Sequence, residues 1–295
     1  MGRLISEKYK EWEQECDNRF LRVKNNEEKI NAELIRLYGL ESEESPEVNE
    51  DAISIYRASV NSDIRSLISY AVGCMIGRYS LDHDGISFAG GRWDDSLYAT
   101  FAPDKDAIIP ICDDEYFQDD MVGYFVKFIK IVYGEDTLEE NLRFISDALG
   151  GVGSSRTVIR NYFINDFYAD HLKIYQKRPI YWLFDAGKKN SFKCLIYLHR
   201  YRPDTVARIR TDYVHEMQSR YRTAMDELGR RADTAAGSER VKLQKQLQKV
   251  QAQDQELRKY EEKIHHYADM MLPLDLDDGV KVNYAKLQDV LAPIR

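Results

Sequence analysis

Seven cations, Lys177, Arg178, Lys188, Lys189, Lys193, Arg200 and Arg202, bracket two apolar and aromatic runs within residues 177–201, KRPIYWLFDAGKKNSFKCLIYLHRY. Lysines and arginines in such a row neutralise phosphates, so the chemistry they suggest is contact with a nucleic-acid backbone. The runs on either side of residues 186–190 read as the two strands of a β-hairpin turning at Gly187. Tyr181 and Trp182 are consecutive in the first strand and must point to opposite faces, so one is expected in the core and the other free to stack on a base or sugar. Arg208 and Arg210, on a helix that follows, extend the candidate DNA-binding set.

The charge distribution supports this reading. The chain carries a formal net charge of −8, yet residues 156–222 hold 14 Lys/Arg against 6 Asp/Glu, which leaves the remainder at −16. Cations concentrated in one stretch of an acidic chain suit a polyanionic partner better than general solubility does. Lysines on a hairpin also protect a sheet edge from other chains, so the inference rests on segregation and not on any single residue.

Other constellations carry less. Gly150, Gly151 and Gly153 have no lysine at P-loop spacing and follow a helical stretch, which fits a helix stop and a new N-cap at Ser154 or Ser155. His265 and His266 are adjacent and diverge by about 100° on a helix, too far for one metal ion. The acids Asp113, Asp114, Glu115, Asp119 and Asp120 read as loop and capping residues, and no nucleophile elbow or HExxH pair is present. Cys16, Cys74, Cys112 and Cys194 are widely spaced among helical or strand-like residues, which leads us to expect buried thiols in a reducing cytoplasm. The charged N-terminus does not read as a signal peptide, and the longest apolar run, residues 71–76, is far short of the ~20 residues of a membrane span.

The elements that must position these residues are mostly helical. Residues 4–38 read as one long or two consecutive amphipathic helices ended by Gly39, and residues 41–51 as an acidic linker. A core helix is expected from Asn61 or Ser62 to Tyr79, with Gly73 and Gly77 packed closely against a neighbouring backbone. Residues 81–114 read as loops and irregular β structure with a short strand at 107–112, placed on an edge by Pro110. Helices follow at 119–133, 138–149 and from Ser154 or Ser155 to about Tyr175. After the hairpin, a helix capped by Asp204 or Thr205 runs to about Arg231 and another to Met271. In the latter, Leu243, Val250, Leu257, Ile264 and Met271 recur every seven residues, facing Val206, Ile209, Tyr213, Met217, Ala224 and Leu228 of its neighbour, or pairing two chains. The tail is a loop with a short helix near 284–291. The expected class is α+β, rich in helix, organised as a helical region 1–80, a mixed region 81–203 with the basic hairpin, a coiled-coil-like antiparallel helical hairpin 204–272 and a tail 273–295.

The pattern RPIYWLF-x-x-GKKN-x-F-K-x-LIY-x-HRY at 178–201 resembles the C-terminal part of the PglX family, adenine-specific DNA methyltransferases of the bacterial phage-defence system BREX. NEEKINAELIRLYGL at 26–40, ISYAVGCMIGRYSLD at 68–82, Phe167, Tyr168 and His171, and DGVKVNYAKLQDVLAPI at 278–294 agree in order, so the likeness extends over nearly the whole chain. The family's S-adenosylmethionine loop and its Asn-Pro-Pro-Tyr motif, which holds the extruded adenine, are absent, and no Pro-Pro pair occurs. The resemblance therefore implies the C-terminal half of such an enzyme: a DNA-binding target-recognition and scaffold region without catalytic residues, working in the cytoplasm on double-stranded DNA beside a catalytic domain that binds S-adenosylmethionine. The alternative is a protein-interaction module that docks other BREX subunits through its coiled-coil helices.

Overall fold

The computed structural model describes residues 3–294; Met1, Gly2 and Arg295, which the first and last expected regions include, lie outside it. A 34-residue helix α1 (Ile5–Tyr38) opens the fold. Its end is the one expected: Gly39 turns left-handed at φ 67°, which lets the Leu40 N–H reach back to the Ile35 carbonyl at 2.9 Å. Helix α2 (Val60–Met75) is buried along most of its second half and stops earlier than its apolar pattern suggests. Gly73 and Gly77 do mark close packing, but against aromatic side chains, Tyr79 and Trp93, and not against backbone; a Cβ at either would overlap those rings.

Three short strands, β1 (Ile108–Pro110), β2 (Tyr181–Asp185) and β3 (Lys193–Tyr197), form an antiparallel sheet in the order β1-β3-β2. Leu183 faces Leu195 in the β2–β3 register, and Ile109 faces Leu195 on the other side. Pro110 is on an outer strand, where its missing N–H costs no ladder bond. The other outer strand is covered by the tail: Asp185 N–H donates to the Val290 carbonyl at 3.2 Å and Ala292 N–H to that of Leu183 at 2.8 Å.

Both faces of this sheet are buried, which explains why its strands read as unbroken apolar runs. Tyr181, Leu183, Leu195 and Tyr197 join the core made with α2, α3 (Met121–Tyr133), α4 (Leu138–Leu149), α5 (Ser155–Asn165) and α6 (Phe167–Ile174). Trp182, Phe184, Cys194 and Ile196 face a second core built on α7 (Thr205–Arg208), α8 (His215–Thr234) and α9 (Gly237–Met270). The architecture is helix-rich α+β, with the sheet between two helical layers.

Two helices depart from the expected course. The stretch anticipated as one helix to Tyr175 breaks at Asp166, where the Lys193 ammonium from β3 takes the Ile164 carbonyl at 3.1 Å, a side-chain insertion of the kind that kinks helices. Between α7 and α8, residues Ile209–Val214 form a π-helical segment that carries Tyr213 toward Asp119, 2.8 Å away. The heptad seam of α9 is used inside the chain: Leu243, Leu257 and Ile264 are buried and Val250 is packed beneath α8, whereas Met271 lies beyond the helix and is exposed. The tail helix α10 (Val280–Ala285) begins before the expected position. All four cysteines are buried free thiols, and no described helix is long and apolar enough to cross a membrane.

Candidate nucleic-acid interface

The hairpin forms as read, but its cations are divided between the two ends of the sheet and the interior. At the turn end, Lys188 and Lys189 are exposed, while the backbone between them and β3 is held down on α9. The Glu256 carboxylate accepts from Lys189 N–H at 2.9 Å, from Ser191 N–H at 3.2 Å and from Ser191 Oγ at 2.8 Å. Gln253 Nε2 adds a bond to the Lys189 carbonyl at 3.2 Å. Gly187 is required there: its φ is 140°, and a Cβ would lie 2.9 Å from Glu256 Cδ.

In the interior, Lys193 is only 8% exposed and is committed to the Ile164 carbonyl and to Asp185, 3.5 Å away. Tyr181 and Trp182 correct the expectation that one of them is free to stack: they do point to opposite faces, but each face has its own helical layer, and Trp182 is 0% exposed. On the following helix, Arg208 pairs with Asp106 at 2.7 Å and Arg210 with Glu261 at 2.7 Å. Further pairs bind Arg156 to Glu139 and Arg160 to Asp120. Folding thus undoes part of the charge segregation seen along the chain, because acids remote in sequence come to meet these arginines.

What the fold does bring together lies at the other end of the sheet, where β3 ends and β2 begins. A cleft of about 380 Å³ is lined there by Trp93, Lys105, Arg200, Arg202 and Arg208, with Asp204 and the Arg208 partner Asp106 also on its wall. His199 borders it and also a neighbouring depression of about 140 Å³ that Arg178 lines. Lys177 stands apart, with Lys173, over a third hollow against the tail. Lys105, Arg178 and Arg202 are exposed and have no ion-pair partner among the described residues. Trp93 and Lys105 are absent from the set read off the sequence. They belong to the glycine- and aspartate-rich loops of 81–106, where no periodicity marks a residue as facing a site; the only signal was a tryptophan beside Gly90, Gly91 and Arg92.

Arg200 anchors the cleft. Its guanidinium donates to the carbonyls of Ile76 (3.2 Å), Asp104 (2.7 Å) and Lys105 (2.7 Å) and lies 4.3 Å from the centre of the Trp93 ring. Trp93 in turn stacks on Tyr98 at 4.8 Å with 9° between the rings. Burial pulls the Arg200 pKa below its ordinary value and pushes that of Asp104 up to about 7, with the neighbouring Asp106 adding to the rise. His199 is held below the usual histidine range by burial and by the Arg78 charge, so it is neutral in the fold near pH 7. The rim therefore combines exposed, unpaired cations with an arginine–aromatic floor held by hydrogen bonds. Such an arrangement suits a phosphate-bearing ligand.

The Gly150–Gly153 turn joins two helices, and Ser154 caps the second by accepting the Thr157 N–H at 3.3 Å. It offers no strand-to-helix loop of the type that holds a nucleotide-like cofactor.

No protein-family profile matches the chain. Among curated proteins, it is 45% identical over 295 residues to the adenine-specific methyltransferase PglX of Lacticaseibacillus casei strain Zhang, a match covering 97% of this chain and 24% of that protein. It is 41% identical over 280 residues to the adenine-specific methyltransferase BrxX of Escherichia coli strain HS, covering 90% of this chain and 23% of that one. The chain thus spans about a quarter of the length of these relatives, and not the half that the resemblance implied. By descent, then, these residues are homologous to the C-terminal region of the PglX adenine-specific methyltransferases.

Proposed function

We propose that this chain is the DNA-binding target-recognition and scaffold region of a PglX-like adenine methyltransferase acting in phage defence in the cytoplasm. Methyl transfer and S-adenosylmethionine binding would fall to a catalytic part outside these residues. The observation that carries the reading is the cleft at the open end of the sheet, between the loops of 81–106 and residues 199–208. There Lys105 and Arg202, with Arg178 close by, present unpaired charge around Trp93 and the fixed Arg200. Phosphate contacts would set the register of the duplex, and the loops of 81–106 would lie nearest the bases.

The test is duplex DNA binding by the 295-residue chain across a salt series, with two charge reversals compared. Lys105→Glu with Arg202→Glu removes cations of the cleft; Lys188→Glu with Lys189→Glu removes those of the turn. Each phosphate that the protein no longer neutralises flattens the slope of log K against log salt by about 0.9. The cleft pair is expected to lower the slope by about 2 on that basis, and the turn pair by less. Binding that is independent of salt, or a cleft variant that binds like the wild type, would remove the basis of the proposal.

A further inference from the structure

Helix α1 carries one apolar stripe along its whole length, through Ile5, Tyr9, Cys16, Phe20, Val23, Ile30, Leu34 and Leu37 at mostly three- and four-residue steps. Its first half is covered. Ile5, Cys16 and Phe20 are buried, Tyr9 meets Phe144 of α4 at 6.2 Å, and Arg57 lies over Phe20 at 4.4 Å. The second half continues the same stripe into solvent, with Ile30 59%, Leu34 46%, Leu37 76% and Tyr38 72% exposed. One flank of this half is occupied by the chain itself, since Asn31 Nδ2 bonds the Pro46 carbonyl at 3.4 Å and Glu28 accepts the Val48 N–H at 3.3 Å. The other flank carries the exposed Asn26 and Glu33, with Arg22, Lys29 and Arg36 further round the helix.

We propose that this stripe is the docking surface for the part of the methyltransferase that these residues do not contain, through a partner surface that is apolar. One observation selects that occupant. The relatives carry about three quarters of their length beyond the matched region, so a covalently linked partner of the right size exists in each of them. An exposed apolar strip continuous with a buried one, rimmed by charge, is the usual mark of an interface. The inference is independent of whether the cleft binds DNA.

The experiment uses the full-length Lacticaseibacillus casei relative with its matching region replaced by this chain, carrying a photo-crosslinking phenylalanine analogue at Leu34. A control probe stands at Val152, which is 96% exposed on the turn between α4 and α5. Crosslinked peptides from outside the replaced region are expected at Leu34 and not at Val152, and Ile30→Asp with Leu37→Asp should diminish them. Crosslinks confined to residues of this chain, to a second copy distinguished by isotopic labelling, or to added duplex DNA would overturn the proposal. Should the chimera prove insoluble, the same probe at the residue of the intact relative that aligns with Leu34 gives the same decision.

Discussion

Glu256→Ala distinguishes a clamped hairpin tip from a free one. In the folded chain this carboxylate receives three donors, the N–H groups of Lys189 and Ser191 and the Ser191 hydroxyl, at 2.8–3.2 Å. Hydrogen bonds to a charged acceptor contribute about 1.5–3 kcal/mol each when well buried. Glu256 is half-buried, and water replaces much of what its removal takes away, so we expect a total loss of about 2 kcal/mol on that scale. For a chain of this size such a loss lowers Tm by about 4 °C. Urea unfolding measures the first quantity, and amide exchange at Lys189 and Ser191 reports the local one. Glu256→Gln retains one acceptor oxygen without the charge and should fall between the variant and the wild type. Stability within about 0.5 kcal/mol of wild type, the range of an ordinary surface change, with unaltered exchange at both amides, would refute the clamp. The same variant has a functional corollary. If phosphate contacts come from the cleft, releasing the tip leaves DNA affinity unchanged; if they come from Lys188 and Lys189 on a tip held in place, affinity falls with the clamp.

Asp120→Ala should be among the most damaging single changes, because one buried carboxylate both caps α3 through Val122 and Gly123 and holds Arg160 by two bonds at 2.8 and 2.9 Å. Stranding a buried charge costs about 3–5 kcal/mol, a large share of a typical domain's stability, and Arg160→Met in the same chain should recover part of it by denaturant titration. Two titratable groups give opposite pH dependences. His171 accepts the Tyr181 N–H at 3.2 Å and is pushed down to about 3 by burial, so the unfolded chain binds the extra proton and stability falls as pH drops from 6.5 toward 3; His171→Phe should flatten that acid limb. Asp104 is raised to about 7, so the folded chain holds the extra proton and stability falls as pH rises from 3.8 toward 7, a slope that Asp104→Asn should remove. Leu257→Asp places a carboxylate in the core between α8 and α9, and by sedimentation and circular dichroism the expected result is a destabilised monomer, not a dissociated dimer.

Local signals were legible wherever the cause is local. Gly39 ends α1, Pro110 marks an outer strand, Ser154 starts α5, and the seven-residue repeat of α9 finds its partner in α8. Misreadings arose where a distant residue decides. Nothing near Asp166 predicts that Lys193 will interrupt the helix there, and nothing in the hairpin reveals that a helical layer covers each of its faces. The charge count failed for the same reason. Arg160, Arg208 and Arg210 looked available because their partners Asp120, Asp106 and Glu261 lie 40, 102 and 51 residues away in sequence. Trp93 and Lys105 were missed because aperiodic loops carry no record of which way they face.

A sheet enclosed on both faces leaves a ligand only the ends of its strands, and here those ends are chemically unlike. The turn end carries two lysines on a backbone tied to a carboxylate, so an anion arriving there meets Glu256 as well as the ammonium groups. At the opposite end the arginine is already satisfied by three carbonyls, which are neutral, so its charge is fixed in place without being cancelled by a direct carboxylate partner. Asp104 lies close by, and protonation of a carboxyl raised to about 7 would increase the positive potential of the cleft just where Arg200 is lodged. Phosphate affinity at the cleft should therefore strengthen as pH falls from about 8 to about 6, more than the ordinary titration of exposed groups accounts for. Asp104→Asn should bind at the upper end of that interval as the wild type does at the lower. A DNA affinity that is flat across it in the wild type, at constant ionic strength, would place the phosphate elsewhere on the molecule.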